Sequence, residues 1–259
     1  MTSTRSHSSG REANHFYSPV ASAIALASAD AGVEVVQGAM LVSDDRELLE
    51  IPSALRDGRC DAAFVLGAEF NAEAVEGLRA TGCPTILVDG YSEGDALDSV
   101  VTDNATGARI TVEHLIAAGH RDIALLGTQP DCYPSIRDRR TGYIQAIEAG
   151  GLPTDFIDIS YVFEEAAAVE AVGYVRRHPA VTAIFGANDW AIIAFMRKAR
   201  DAGLRIPADL SLIGFDDIDL ATLVSPALTT LAVDKTLMGR AAFALMAHRM
   251  EVPTADPVR

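Results

Sequence analysis

The feature that most constrains this chain is an alternation. Short apolar runs such as 62–66, 85–88, 123–126, 181–185 and 211–214 are separated by longer stretches with apolar residues at helical spacing. Runs this short, apolar at consecutive positions, suit strands covered on both faces, which parallel sheets between helices provide. Further extended pieces are expected at 33–40, 99–101, 157–162 and 228–233. Helices are expected at 18–31, 71–82, 104–118, 135–149, 164–177, 189–202 and 235–250, several closing on glycine (Gly32, Gly82, Gly119). One more is expected over 44–56, opened by Asp44 and Asp45 and kinked or divided at Pro52. Nine such strands are many for one open sheet in 259 residues. The expected class is therefore α/β, with two doubly wound parallel-sheet lobes.

Composition narrows the function. The chain is 49% hydrophobic and 22% charged, ordinary for a globular protein, and its formal charge is −15. So acidic a surface repels phosphate backbones, so these residues are not expected to bind DNA themselves. Cys60, Cys83 and Cys132 show neither zinc-ligand spacing nor a disulfide framework and are read as reduced, buried thiols of a cytoplasmic protein. The opening twelve residues, MTSTRSHSSGRE, are read as a disordered lead with no secretory core, and no apolar run is long enough for a membrane span. No phosphate loop, GxGxxG turn, nucleophile elbow or HExxH pair is present, so neither cofactor, metal nor catalytic group is expected.

Three places put polar residues where strands should end, the position at which open α/β sheets bind ligands. Ile184-Phe185-Gly186 runs into Asn188 and Asp189, where either residue serves as a plain N-cap or Asn188 offers both a donor and an acceptor to a hydroxyl. Leu212 to Phe215 runs into Asp216 and Asp217, a turn-forming pair or a carboxylate able to accept from two adjacent hydroxyls. Arg137, Arg139 and Arg140 open a helix after a polar loop; Arg137 and Arg140 are read as solvated, and one arginine turned inward would supply a rigid fork of donors.

In order, these stretches carry a resemblance. Asp103-Asn104 followed by VEHLIAAGHRDIALLG, then RRTGYIQAIEAGGLP, AIFGANDWA, AGLRIPADLSLIGFDDIDLA and SPALTTLAVDKTLMGRAA together resemble the LacI/GalR regulators from about Asn14 to His248. The resemblance implies two lobes of the periplasmic-binding-protein-like type I, here 13–118 with 234–259 and then 119–233, holding a small sugar or, less readily, a nucleobase. By motif it implies Arg139, Asn188 and Asp216 as ligand residues, Phe16 and Tyr17 as an aromatic platform, and Ser135 as a lesser contact, with Trp190 read as packing. It also implies a homodimer, and control of operator DNA through a helix-turn-helix headpiece that this sequence does not contain. Ile192 stands where the family usually has a small residue, and the slot of the family's first strand holds the polar opening segment, which leaves a gap expected in the first sheet. The competing readings are a transporter's sugar-binding protein and an enzyme on a doubly wound sheet.

Overall fold

The computed structural model describes residues 13–129, 132–157 and 165–259, and divides them into two compact units. The first contains everything up to Thr102 together with Asp234–Arg259, and the second is Asp103–Val233. The boundary thus falls before the helix at 104, not after it at 118.

In chain order the first unit carries α1 (Ala13–Asp30), β1 (Leu41–Val42), β2 (Leu48–Glu50), α2 (Ser53–Arg56), β3 (Ala63–Leu66), β4 (Glu69–Phe70), α3 (Ala72–Arg79), β5 (Thr85–Val88), β6 (Tyr91–Ser92) and β7 (Asp98–Val100). The second carries α4 (Asn104–Ala117), β8 (Ile123–Leu126), α5 (Pro134–Ala149), β9 (Asp155–Ile157), α6 (Glu165–Arg177), β10 (Ala183–Gly186), α7 (Asp189–Asp201), β11 (Ser211–Asp216), α8 (Leu220–Leu223) and β12 (Thr229–Ala232). The chain then returns to the first unit as α9 (Lys235–Glu251).

The second unit is a five-stranded parallel sheet in the order β12-β11-β10-β8-β9. Its central strands are buried along their whole length, as their uniformly apolar sequences require. Phe195, Ile184, Ile192 and Leu126 anchor the core on one side of this sheet. The other side rests on α4 and α5, which lie unusually close: a Cβ on Gly142 would sit 2.1 Å from the Ala105 carbonyl oxygen.

The first unit holds a three-stranded parallel sheet, β3-β5-β7, with Val65, Phe70, Leu78 and Leu87 in its core. α1 and α9 pack on each other, Gly239 passing so near α1 that a Cβ there would lie 2.6 Å from the Val20 carbonyl. At the other end of the sheet the tail is strapped down. Arg249 makes a bidentate pair with buried Asp98 at 2.6 and 2.7 Å, and Ser99 N–H donates to Val258 O at 2.8 Å.

Two expectations fail in the first unit. The run 33–40 is not a strand; Val33, Val35 and Val36 are 53%, 41% and 71% exposed. An apolar run becomes a strand only where a neighbour offers its backbone groups, and no described strand lies beside this one. The helix expected over 44–56 is instead a hairpin, β1 against β2, followed by α2. Asp44 and Asp45 form its turn, with Arg46 at φ 65°, and Pro52 divides the segment, standing between β2 and a short helix. The cysteines are free, but half-buried instead of buried. The expected strand at 157–162 is described only as β9; the rest of it, and the opening twelve residues, lie outside the described residues.

Candidate functional site

In the second unit the site is built around one arginine. Arg139 lies one turn into α5, on the face it shares with Gly142, and the close approach of α4 and α5 at Gly142 brings its guanidinium against the first turn of α4. There Nε donates to Asn104 Oδ1 at 2.8 Å. Nη1 donates to the Ala187 carbonyl just past β10, and Nη2 reaches Asp216 Oδ1 at 2.9 Å. The guanidinium also stacks 3.8 Å from the centre of the Phe215 ring. These contacts engage three of its five N–H groups. The pair is secluded, its side chains only 5% and 11% exposed.

Asp216 meets Arg139 because the backbone leaves the strand. Successive strand residues face opposite sides of a sheet, yet Phe215 and Asp216 both reach the guanidinium. Asp216 has φ 116° and Asp217 φ 52°, two consecutive non-glycine residues in sparsely populated backbone regions. Conformations of this kind persist only where the surroundings hold them.

Asn188 is half-buried at the N-cap of α7, its Oδ1 accepting from Ala191 N–H at 2.8 Å. The cap reading of that residue therefore holds, and its oxygen is already engaged. Its neighbour Asp189 is fully buried, accepting from Ile218 N–H at 2.9 Å and from the Thr230 hydroxyl at 2.5 Å. Burial pushes its carboxyl up to about 7, helped by the nearby Asp216 and Asp217 and only partly offset by the two hydrogen bonds. Ser135 is buried at the start of α5. Arg140, expected in solvent, is half-buried and donates to Thr128 Oγ1 at 2.9 Å. Ile192 fits because Gly186 lacks a side chain: a Cβ there would lie 2.2 Å from it.

Phe16 and Tyr17 belong to the first unit, half-buried on α1 with their rings edge to face at 5.1 Å. Tyr17 donates its hydroxyl to Asp89 Oδ2 at 2.7 Å, and Lys235 Nζ lies 5.7 Å from the Phe16 ring. Gly67 makes room for the tyrosine. Sequence reasoning missed Asp89, although β5 runs straight into it as β11 runs into Asp216. It quoted Asn104 only as part of a motif and passed over Asp189 as a cap. Among the described residues no cluster of metal-ligating side chains occurs, and no helix is long and apolar enough to cross a membrane.

Fold and site together define a class: two α/β units of parallel strands, with polar side chains gathered where strands end and a secluded arginine–aspartate pair in one of them. The model of the periplasmic binding protein-like domain matches residues 112–259. The HTH-type transcriptional repressor PurR of Vibrio atlanticus is 30% identical over 76% of this chain, and the chain spans 60% of that repressor's length. The ribose operon repressor of Escherichia coli is 28% identical over 95% of the chain and 75% of the repressor. A LacI family regulator from Enterococcus faecium, solved with bound ribose, superposes with a TM-score of 0.75 at 25% identity, covering 95% of this chain and 90% of that one. The chain belongs to the periplasmic binding protein-like family, within it to the LacI-type regulators, and corresponds to their effector-binding part.

Proposed function

We propose that this chain is the sensing part of a LacI-type regulator and binds a sugar-like effector through Arg139, Asp216 and Asn188, with Phe16, Tyr17 and Ser135 as further contacts. The observation that carries this reading is the Arg139–Asp216 pair. Each partner neutralises the other, so the pair carries no net charge, yet both keep hydrogen-bonding capacity in a secluded setting. A polyol with hydroxyls at adjacent carbons matches that: the carboxylate accepts from two of them and the guanidinium donates to a third oxygen. Asn188, its oxygen used by the helix cap, contributes its NH2 group. An aromatic side chain suits the C–H face of a pyranose or furanose ring. The ribose named for the Enterococcus structure and for the Escherichia coli repressor belongs to those proteins, and makes pentoses the first sugars to try. On this reading the chain acts as a dimer, turns over no substrate, and influences DNA through a headpiece outside this sequence.

The test is a thermal-shift screen against pentoses, hexoses, sugar phosphates, nucleosides and purines. A ligand at about a hundred times its dissociation constant stabilises the protein by about 2.7 kcal/mol. The expected result is a shift with a neutral sugar that vanishes in Asp216→Ala. A shift confined to purines would move the reading to nucleobases. A shift that survives Asp216→Ala unchanged would remove this cluster from the binding site.

A further inference from the structure

We infer that Asp189 is the positioning residue of the effector site: it does not meet the effector but holds the turn that aims Asp216 at Arg139. The inference rests on the reading of Arg139 and Asp216 as effector residues. It stands on four observations in the second unit. Asp216 and Asp217 both have positive φ, so the chain after β11 would relax toward extended or helical backbone without an external hold. Asp189 supplies that hold on both sides: Oδ2 accepts from the N–H of Ile218, two residues past Asp216, and Oδ1 accepts from the hydroxyl of Thr230. Thr230 in turn pairs across the sheet with Gly214, and its Oγ1 accepts from Asp217 N–H at 3.3 Å. Gly214 itself is shaped to the carboxyl, since a Cβ there would lie 2.1 Å from Asp189 Oδ1.

The arrangement explains why a carboxylate is used at this place. Two donors, one backbone and one hydroxyl, converge on it from different elements. A carboxylate accepts from both at once. An asparagine accepts from one and presents its NH2 to the other, a contact the Ile218 N–H cannot meet and the Thr230 hydroxyl meets only by turning round to accept. Asp189→Asn therefore loses or reverses one side of the hold while removing a buried charge, so the change in hydrogen bonding and the relief of desolvation oppose each other in the stability of the fold. A merely structural residue would show in stability alone. A positioning residue shows in the geometry of its neighbour.

Two measurements on the full chain decide it. The first needs no ligand: the Nε–H resonance of Arg139 in 15N-edited NMR spectra, assigned with Arg139→Lys, reports the guanidinium's surroundings. It is expected to move in Asp189→Asn toward its position in Asp216→Asn. The second is calorimetric titration with D-ribose. Asp189→Asn and Asp216→Asn are each expected to raise the Kd by about tenfold or more, as loss of an orienting outer partner does elsewhere. The double variant is expected to lose no more than either alone, because both act through one group. Should Asp189→Asn not fold, Thr230→Val removes one of the two donors and is read the same way. The inference is overturned if the Arg139 resonance stays at its wild-type position, or if the variant binds ribose as the wild type does. Failure of the wild type to bind ribose counts against pentoses as effectors and leaves the resonance to decide the role of Asp189.

Discussion

Asp189 also makes a prediction about pH at the level of one side chain. Its carboxyl titrates at 3.8 in a model peptide and at about 7 in the fold. The folded state thus holds this proton more tightly than the unfolded chain. The stabilisation that follows is complete below pH 4 and is lost as the pH rises toward and past 7. Asp209, held down to about 2 by the hydrogen bonds from Arg205, contributes in the opposite sense and only below about pH 4. The informative quantity is therefore the difference between wild type and Asp189→Asn, followed by urea denaturation at pH 5.5 and 8. The wild type is expected to lose about 2 kcal/mol against the variant between these values, by the linkage relation. A difference independent of pH would mean that the carboxyl titrates normally. At this scale the sequence showed where polar residues stand at the ends of β10 and β11, because apolar strands ending in Asn188-Asp189 and Asp216-Asp217 are visible in one dimension. It did not show that the second residue of the first pair holds the second pair, since 27 positions separate Asp189 from Asp216.

At the scale of elements, glycines decide how closely helices approach, and their neighbours separate two kinds. Gly142 in α5 faces the Ala105 carbonyl at 2.1 Å, so any side chain forces α4 and α5 apart. Gly77 in α3 meets nothing nearer than the Leu48 methyl at 3.7 Å, an ordinary contact. Gly142→Ala is expected to destabilise by about 1–3 kcal/mol through overpacking, and to weaken effector binding because Arg139 rides on the displaced helix. Gly77→Ala is expected to stabilise by about 0.5–1 kcal/mol through helix propensity and a less flexible unfolded chain. Denaturation midpoints of the two variants check both signs, and equal effects would refute the distinction. Most elements were legible from periodicity because the central strands of the second unit, β8 and β10, are buried along their whole length, as their apolar sequences require. The two failed element expectations of the first unit share a cause. The run 33–40 has a strand's sequence without a partner beside it, and Asp44-Asp45 serves a turn as readily as a helix start. Periodicity describes what a segment can bury, and only the neighbours decide whether it does.

At the scale of the whole molecule the two units differ in how well their sheets are sealed. β8 and β10 lie inside a five-stranded sheet and are fully buried. β3 has an equally apolar sequence, Ala-Phe-Val-Leu, which suits the middle of a parallel sheet, yet among the described residues it pairs only with β5, and three of its four residues are half-exposed. Ala63 N–H donates to Pro84 O and Gly67 N–H to Val88 O, so the intervening Phe64 and Leu66 direct their amides away from β5. The β7 edge of the same sheet is closed by the tail through Ser99 and Val258, and by the Arg249–Asp98 pair. Hydrogen exchange should therefore alternate along β3. Phe64 and Leu66 are expected to exchange through local fluctuation, Val65 more slowly, and Ile184 and Phe185 of β10 only with unfolding of their unit. If Phe64 and Leu66 prove as protected as Val65, a further segment covers that edge, and the gap beside β3 is filled in solution. If they exchange freely, that edge of β3 stays open in solution, and the first sheet ends at β3.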